Sequence, residues 1–234
     1  MKKLVLLISC EHAVNTIPSM YLHLFQQQES LLQTHRAIDF GALEIAHHLV
    51  KIFGCDHSTA TVSRLLIDCN RSLNNAHCFS EFTQNLPRNE KQTIIDQYYL
   101  PYRNQTESLI QKHIEQGNQV LHISSHSFTP VFNGVTRNAG IGLLYDPRRH
   151  AEKEVAREWR GLLNQQTPSY YVRMNYPYHG ASDGFTSALR RKHPEKDYLG
   201  FELEINQSLL KNKKSLNTVA TVLSDSLREL LQLL

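Results

Sequence analysis

The stretch Leu4-Val5-Leu6-Leu7-Ile8-Ser9-Cys10-Glu11-His12 decides the reading of the fold. Its first seven residues offer no polar face, so the segment is expected to be buried on both sides. Continuous apolar runs of this kind mark the central strands of parallel sheets. The run stops at Glu11-His12, two side chains that are costly inside a sheet and useful at its end. In open α/β sheets, sites form beyond the carboxyl ends of the strands.

Working outward, residues 39–53 carry Phe40, Leu43, Ile45, Ala46, Leu49 and Val50 at helical spacing, and Gly54 is placed to cap the helix. Residues 61–69, rich in β-branched and aliphatic side chains, read as a second strand. Residues 71–88 read as an irregular loop rich in Asn and Ser. Residues 93–116 read as helix, ended by Gly117, with Pro101 at a helix start or a kink. Strands are expected at 120–124, 141–145, 170–174 and 199–205. A helix is expected at 152–164, holding the only tryptophan, Trp159, and an amphipathic helix at 218–234 closes the chain. Alternating strands and helices imply one α/β domain over residues 1–234, with a mixed, largely parallel sheet flanked by helices. No internal repeat or linker interrupts it.

Composition narrows the function. A formal net charge of +3 over 234 residues lacks the dense basic face of a nucleic-acid binder. The short clusters Arg190-Arg191-Lys192 and 211–214 read as solvated helix ends or turns. The opening Met-Lys-Lys resembles the front of a signal peptide, but the apolar run behind it is short against an h-region of roughly 7–15 residues. No apolar run approaches the about 20 residues of a membrane span. Cys10, Cys55, Cys69 and Cys78 form no CxxC pair and read as free thiols in a reducing cytoplasm. The expected partner is therefore a small molecule, with neither nucleic acid nor membrane; the sequence does not speak to oligomeric state.

Polar residues gather after the expected strands: Glu11-His12, Asp68-Cys69-Asn70-Arg71, Ser125-His126-Ser127, and Glu202 with Glu204. Two histidines and a carboxylate from separate strand ends make an open tetrahedral zinc site, with a fourth position for water. A nearby glutamate then serves as general base, and arginines hold a carboxylate and a developing oxyanion. Taken singly, each residue also has a plain structural reading. His12 would be a packed histidine, Asp39 a helix-opening acid favoured by the dipole, Asp68 and Arg71 an ion pair, and Arg64 a surface residue. His47, His48 and His122 lack the paired-ligand spacing of HExxH. Ser125 and Ser127 lack a Gly-x-Ser-x-Gly elbow, and there is no Gly-rich phosphate loop.

Together, Ser9-Cys10-Glu11-His12-Ala13, residues 35–42, residues 63–71, Tyr99-Leu100-Pro101-Tyr102, His126-Ser127-Phe128, Asn175-Tyr176-Pro177-Tyr178 and residues 202–207 resemble the N-formylglutamate amidohydrolase family, in that family's order. The chain is more remotely similar to zinc carboxypeptidases and aspartoacylase-like deacylases. The resemblance implies a Zn2+ hydrolase acting on the N-acyl bond of a small substrate bearing a carboxylate. It implies zinc on His12, Asp39 and His126, Glu204 as base, and Arg64 on the oxyanion. Asn70 and Arg71 would hold the substrate carboxylate, and Asn175, Tyr178 and Asp183 would line the pocket. Carboxypeptidases take two ligands from His-x-x-Glu, whereas Asn15 stands three residues after His12. Asp39, opening the next helix, is therefore favoured as the carboxylate ligand, and Glu11 is its rival. Glu202 and Glu204, two apart on one strand, would share a face. A carboxypeptidase, another N-acyl amino-acid deacylase, or a binding protein on the same fold are the alternatives.

Overall fold

The computed structural model describes residues 2–234. Six strands form one sheet in the order β2-β1-β3-β8-β6-β7. They are β1 (Leu4–Cys10), β2 (Asp56–Thr59), β3 (Gln119–Phe128), β6 (Ile141–Leu144), β7 (Val172–Met174) and β8 (Tyr198–Asn206). All neighbours are parallel except β6 and β8, which run antiparallel. The sheet is thus mixed and largely parallel, as the sequence implies. A separate hairpin joins β4 (Val131–Phe132) to β5 (Val135–Thr136). Its Asn133-Gly134 turn, with both φ values positive, is the two-residue sequence that such turns favour.

The helices are α1 (Ala42–Phe53), α2 (Arg88–Ile94), α3 (Leu100–Glu115), α4 (His150–Gln166), α5 (Phe185–Lys192) and α6 (Lys213–Leu233). Side-chain alternation divides the core between the two faces of the sheet. Leu6, Ile8, Ile123, Phe201, Leu203 and Ile205 face α1, α4 and α6, with Trp159 fully buried among them. Leu7, Val120 and Tyr198 face α3, α5 and the loops. Among the described residues no helix is long and apolar enough to cross a membrane.

Three expectations are corrected. Residues 61–69 form no strand; β1 pairs instead with Asp56–Thr59, a polar edge segment without a strand-like pattern. Leu65, Leu66 and Ile67 are buried all the same, in irregular backbone tied down by other groups. Ser63 N–H donates to Thr16 O (2.8 Å), Asp68 N–H to Cys78 O (2.8 Å) and Thr83 Oγ1 to Leu66 O (2.9 Å). Those bonds replace a ladder, which is how a loop can be buried at acceptable cost. Second, the helix expected from residue 39 begins at Ala42, after Gly41 in the left-handed region (φ 79°). Third, helix begins at Arg88 rather than residue 93, and α2 and α3 are joined by a π-helical turn over Ile95–Tyr99. Pro101 cannot donate to residue 97 and would crowd its carbonyl in a regular helix; the widened turn relieves both.

Gly142 on β6 lies opposite Glu204 in register. A Cβ there would come within 1.9 Å of the Tyr176 carbonyl oxygen. Only glycine lets the 175–184 loop approach the sheet this closely.

Candidate active site

His12 sits just past the end of β1, where the chain turns. The Asp39 N–H donates to the His12 carbonyl (3.1 Å), pinning the segment before α1 beside the strand end. His126 reaches the same point from β3. The Nδ1 atoms of His12 and His126 lie 3.2 and 2.9 Å from Asp39 Oδ2. One ligand atom from each of the three residues lies within 4.8 Å of the others, and all three are buried. This set of two imidazoles and one carboxylate suits a catalytic zinc and leaves a position open for water.

The outward nitrogens are also held. His12 Nε2 donates to Asp68 Oδ1 (2.8 Å), and His126 Nε2 lies 3.1 Å from Glu11 Oε2. Burial opposes charge on these rings, yet Asp39 and Glu11 hold His126 well above the ordinary histidine range, and Asp68 and Asp39 raise His12. Burial likewise opposes ionisation of Asp39, but His12 holds its carboxyl well below the usual range. The cluster is an electrostatic well for a cation.

Glu204 stands opposite His126 across the β3–β8 ladder. Its Oε2 is buried without a hydrogen-bond partner. Burial, with Asp39 and Glu202 nearby, pushes its carboxyl up to about 7. An orphaned carboxylate oxygen beside a cation well fits a group that awaits a water or substrate proton. Glu202 shares its strand face, as the spacing implies, and both line the cavity. Glu202 Oε1 accepts from Thr186 Oγ1 (2.8 Å).

Arg64 and Asp68 come from the buried 61–69 loop rather than from a strand end. Arg64 donates to Asp68 Oδ2 (3.1 Å) and lies 3.4 Å from Asp39 Oδ1, which holds its guanidinium at the edge of the cluster. Asp68, opposed by burial but held ionised by His12 and Arg64, does not pair with Arg71. It accepts instead from His12 and from the Asn70 N–H (2.9 Å). Asn70 Oδ1 accepts from the Phe185 N–H at the start of α5 (2.7 Å). Arg71 Nη1 donates to the Asp183 carbonyl (2.5 Å), while the Asp183 carboxylate accepts from Ser72 and Asn75.

These residues line one cavity of about 860 Å3. His12, Asp39, Arg64, Asn70, Arg71, His126, Tyr178, Asp183 and Glu204 all reach it. Asn175 does not: its Oδ1 accepts from the Tyr145 and Gly180 N–H groups (3.1 and 2.9 Å) and shapes the loop. Glu11 lies behind His126, away from the cavity wall. Gln207 closes the 202–207 motif but had no role from sequence; its Nε2 donates to Ser127 Oγ (3.1 Å), and sequence reasoning missed Phe132 on the hairpin altogether. The Asn133-Gly134 pair was the available signal for Phe132. Arg137, also missed, stacks on Phe132 and Tyr178 at 4.5 and 5.3 Å.

The family model for N-formylglutamate amidohydrolase matches residues 4–211. The crystal structure of gene product Atu2144 from Agrobacterium tumefaciens is similar with a TM-score of 0.84 and 27% identity, covering 99% of this chain and 91% of that one. An N-formylglutamate amidohydrolase from Ralstonia eutropha JMP134 shares the fold with a TM-score of 0.69 and 17% identity, covering 98% and 94%. No curated protein matches the chain.

Proposed function

The chain belongs to the N-formylglutamate amidohydrolase family, and from that premise we propose that it is a zinc-dependent hydrolase cleaving the N-formyl bond of N-formylglutamate or a closely related N-acyl amino acid. The observation that carries the reading is the meeting of two imidazole Nδ1 atoms and Asp39 with the unpartnered Glu204 Oε2.

His12, Asp39 and His126 would hold the ion. Bound zinc supplies Lewis acidity, making a water easier to deprotonate and a carbonyl easier to attack. Glu204 takes the proton from the attacking water. It returns that proton to the amide nitrogen as the C–N bond breaks, giving the free carboxylic acid and the amino acid. Burial raises that carboxyl in the metal-free site, the direction that lets one group both accept and return a proton. Arg64, oriented by Asp68, donates to the oxygen on which negative charge develops. Arg71 and Asn70 hold the substrate carboxylate, Arg71 by a charge-assisted bond, with Tyr178 and Asp183 on the same wall. Asn175 has no part in this scheme. Four free cysteines suit a reducing, cytoplasmic setting.

A second reading, deacylation of amino acids bearing larger acyl groups, is favoured by the cavity, whose volume is typical of sites for drug-sized ligands. Zinc-loaded protein should hold one ion per chain and release formate from N-formyl-L-glutamate, and His126→Ala should lose both. Release of larger acids but no formate would support the second reading. Failure to hydrolyse any N-acyl amino acid would overturn both.

A further inference from the structure

Glu11 is 1% exposed and makes no contact with the cavity, yet it is the acceptor for a dense set of donors. Its Oε1 accepts from Ser9 Oγ (2.9 Å) and Tyr102 OH (2.6 Å). Its Oε2 accepts from Ser124 Oγ and faces His126 Nε2 at 3.1 Å. Four donors fill the roughly four lone-pair sites of a carboxylate, so none remains for a metal.

The proton directions can be worked out from that carboxylate. A carboxylate only accepts, so the single protons of Ser9, Tyr102 and Ser124 all point at Glu11. Ser9 Oγ, its proton spent, must accept from His122 Nε2 (2.8 Å). His122 Nδ1 then accepts from Tyr198 OH (2.7 Å). Ser124 Oγ, also spent, turns a lone pair to His126 Nε2 (2.8 Å). Both neighbours of His126 Nε2 are therefore acceptors, and that nitrogen must carry hydrogen. Nδ1 also faces an acceptor, Asp39 Oδ2 at 2.9 Å, so the cationic ring carries hydrogen on both nitrogens. When the ring is neutral, or a metal takes the place of one proton, the Nε2 hydrogen held by two acceptors stays and the lone pair falls on Nδ1.

We propose that Glu11 is a positioning residue: it holds the Nε2–H tautomer and ring orientation of His126, so that Nδ1 is presented to the metal centre. The inference rests on the zinc reading given above. It removes Glu11 from the ligand set and assigns the buried Tyr198–His122–Ser9 chain the task of fixing which oxygen of Glu11 is free for His126. Outer groups of this kind orient metal-binding histidines, and losing one typically weakens metal affinity about 10–100-fold.

Glu11→Gln keeps the shape but brings an amide N–H₂ into a site built entirely of donors. Two measurements test it. In metal-free protein held at a pH where His126 is neutral, 15N-histidine NMR should report the Nε2–H tautomer for His126 in wild type and its loss in Glu11→Gln. In zinc titrations against a competing chelator, the variant should bind about 10–100-fold more weakly while far-UV circular dichroism stays native. An unchanged tautomer with unchanged zinc affinity would overturn the proposal. So would a complete loss of zinc equal to that of His126→Ala, because that marks a direct ligand. Should wild type bind no zinc, the zinc reading fails, but the tautomer measurement still decides the role of Glu11. If Glu11→Gln does not fold, Glu11→Asp carries the test: it keeps the charge but draws the carboxylate back from His126 Nε2, and unchanged zinc affinity together with an unchanged His126 signal would overturn the proposal.

Discussion

Replacing Glu204 with Gln should cost activity and raise stability, and the second effect depends on pH in a way the structure dictates. The substitution keeps the volume of a side chain that is 4% exposed, so the fold should persist. Loss of a general base typically costs ~10²–10⁴ in rate, or about 2.7–5.5 kcal/mol in barrier. It should fall on kcat, with zinc content unchanged. For stability, the folded carboxyl titrates at about 7, against an ordinary value of 4.5. Below pH 4.5 the group is neutral in both states and costs nothing. Between 4.5 and 7 the unfolded chain releases the proton while the folded protein keeps it, so stability falls as pH rises. Above 7 the loss is complete, at roughly 3 kcal/mol for a gap of this size. Gln has no such dependence. Urea unfolding of metal-free wild type and Glu204→Gln at pH 5 and pH 8 should therefore show a difference that grows by roughly 2–3 kcal/mol in favour of the variant. The unpaired amide N–H of Gln adds a constant offset, so the growth is the quantity to read. A difference that stays flat with pH refutes the burial argument, and near-normal kcat refutes the base assignment.

Two further predictions follow from other contacts. Arg71→Ala should raise KM for N-acyl amino acids about 10–100-fold, the worth of a hydrogen bond to a charged group; the corresponding amides should be nearly unaffected, and an equal loss on both would remove Arg71 from the carboxylate subsite. Glu152, fully buried, accepts from Arg190 Nε and from the Gly200 N–H, both at 3.0 Å. Glu152→Ala should cost about 3–5 kcal/mol in urea unfolding by leaving the Arg190 charge buried and unpaired, and a loss below about 1 kcal/mol would refute that accounting.

The parts of the fold that can be read from sequence are those whose burial is uniform. β1, β3 and β8 are buried almost throughout, and their apolar runs mark them within a residue or a few of their observed bounds. β2 could not be found that way, because Asp56–Thr59 is a short edge segment whose residues answer to solvent on one side. The 61–69 loop misleads for the opposite reason. Leu65, Leu66 and Ile67 fill the core as a strand would, but side chains and distant carbonyls satisfy the backbone, and hydrophobicity alone does not report who the hydrogen-bond partners are. At the site, residue types and motif order place His12, Asp39, His126 and Glu204 together. They do not reveal that Glu11 points behind His126, since adjacent residues at a strand end are separated only by where the chain turns.

The register between β3 and β8 has a consequence for how this protein can change. His126 and Glu204 face each other on one backbone ladder, while the walls of the cavity come from the 64–84, 129–137 and 176–184 segments. The proposed base and one proposed metal ligand thus sit on the sheet, whereas, apart from Arg64, Asp68, Asn70 and Arg71, the side chains that these three segments bring to the cavity have no assigned part in the chemistry. Slipping the ladder by one residue would turn Glu204 to the opposite face of the sheet, so little variation is tolerable there. Insertions and exchanges in the three segments leave that pairing untouched. Directed evolution toward new acyl groups should therefore gain most from libraries confined to those segments, with the strands and Arg64, Asp68, Asn70 and Arg71 held constant.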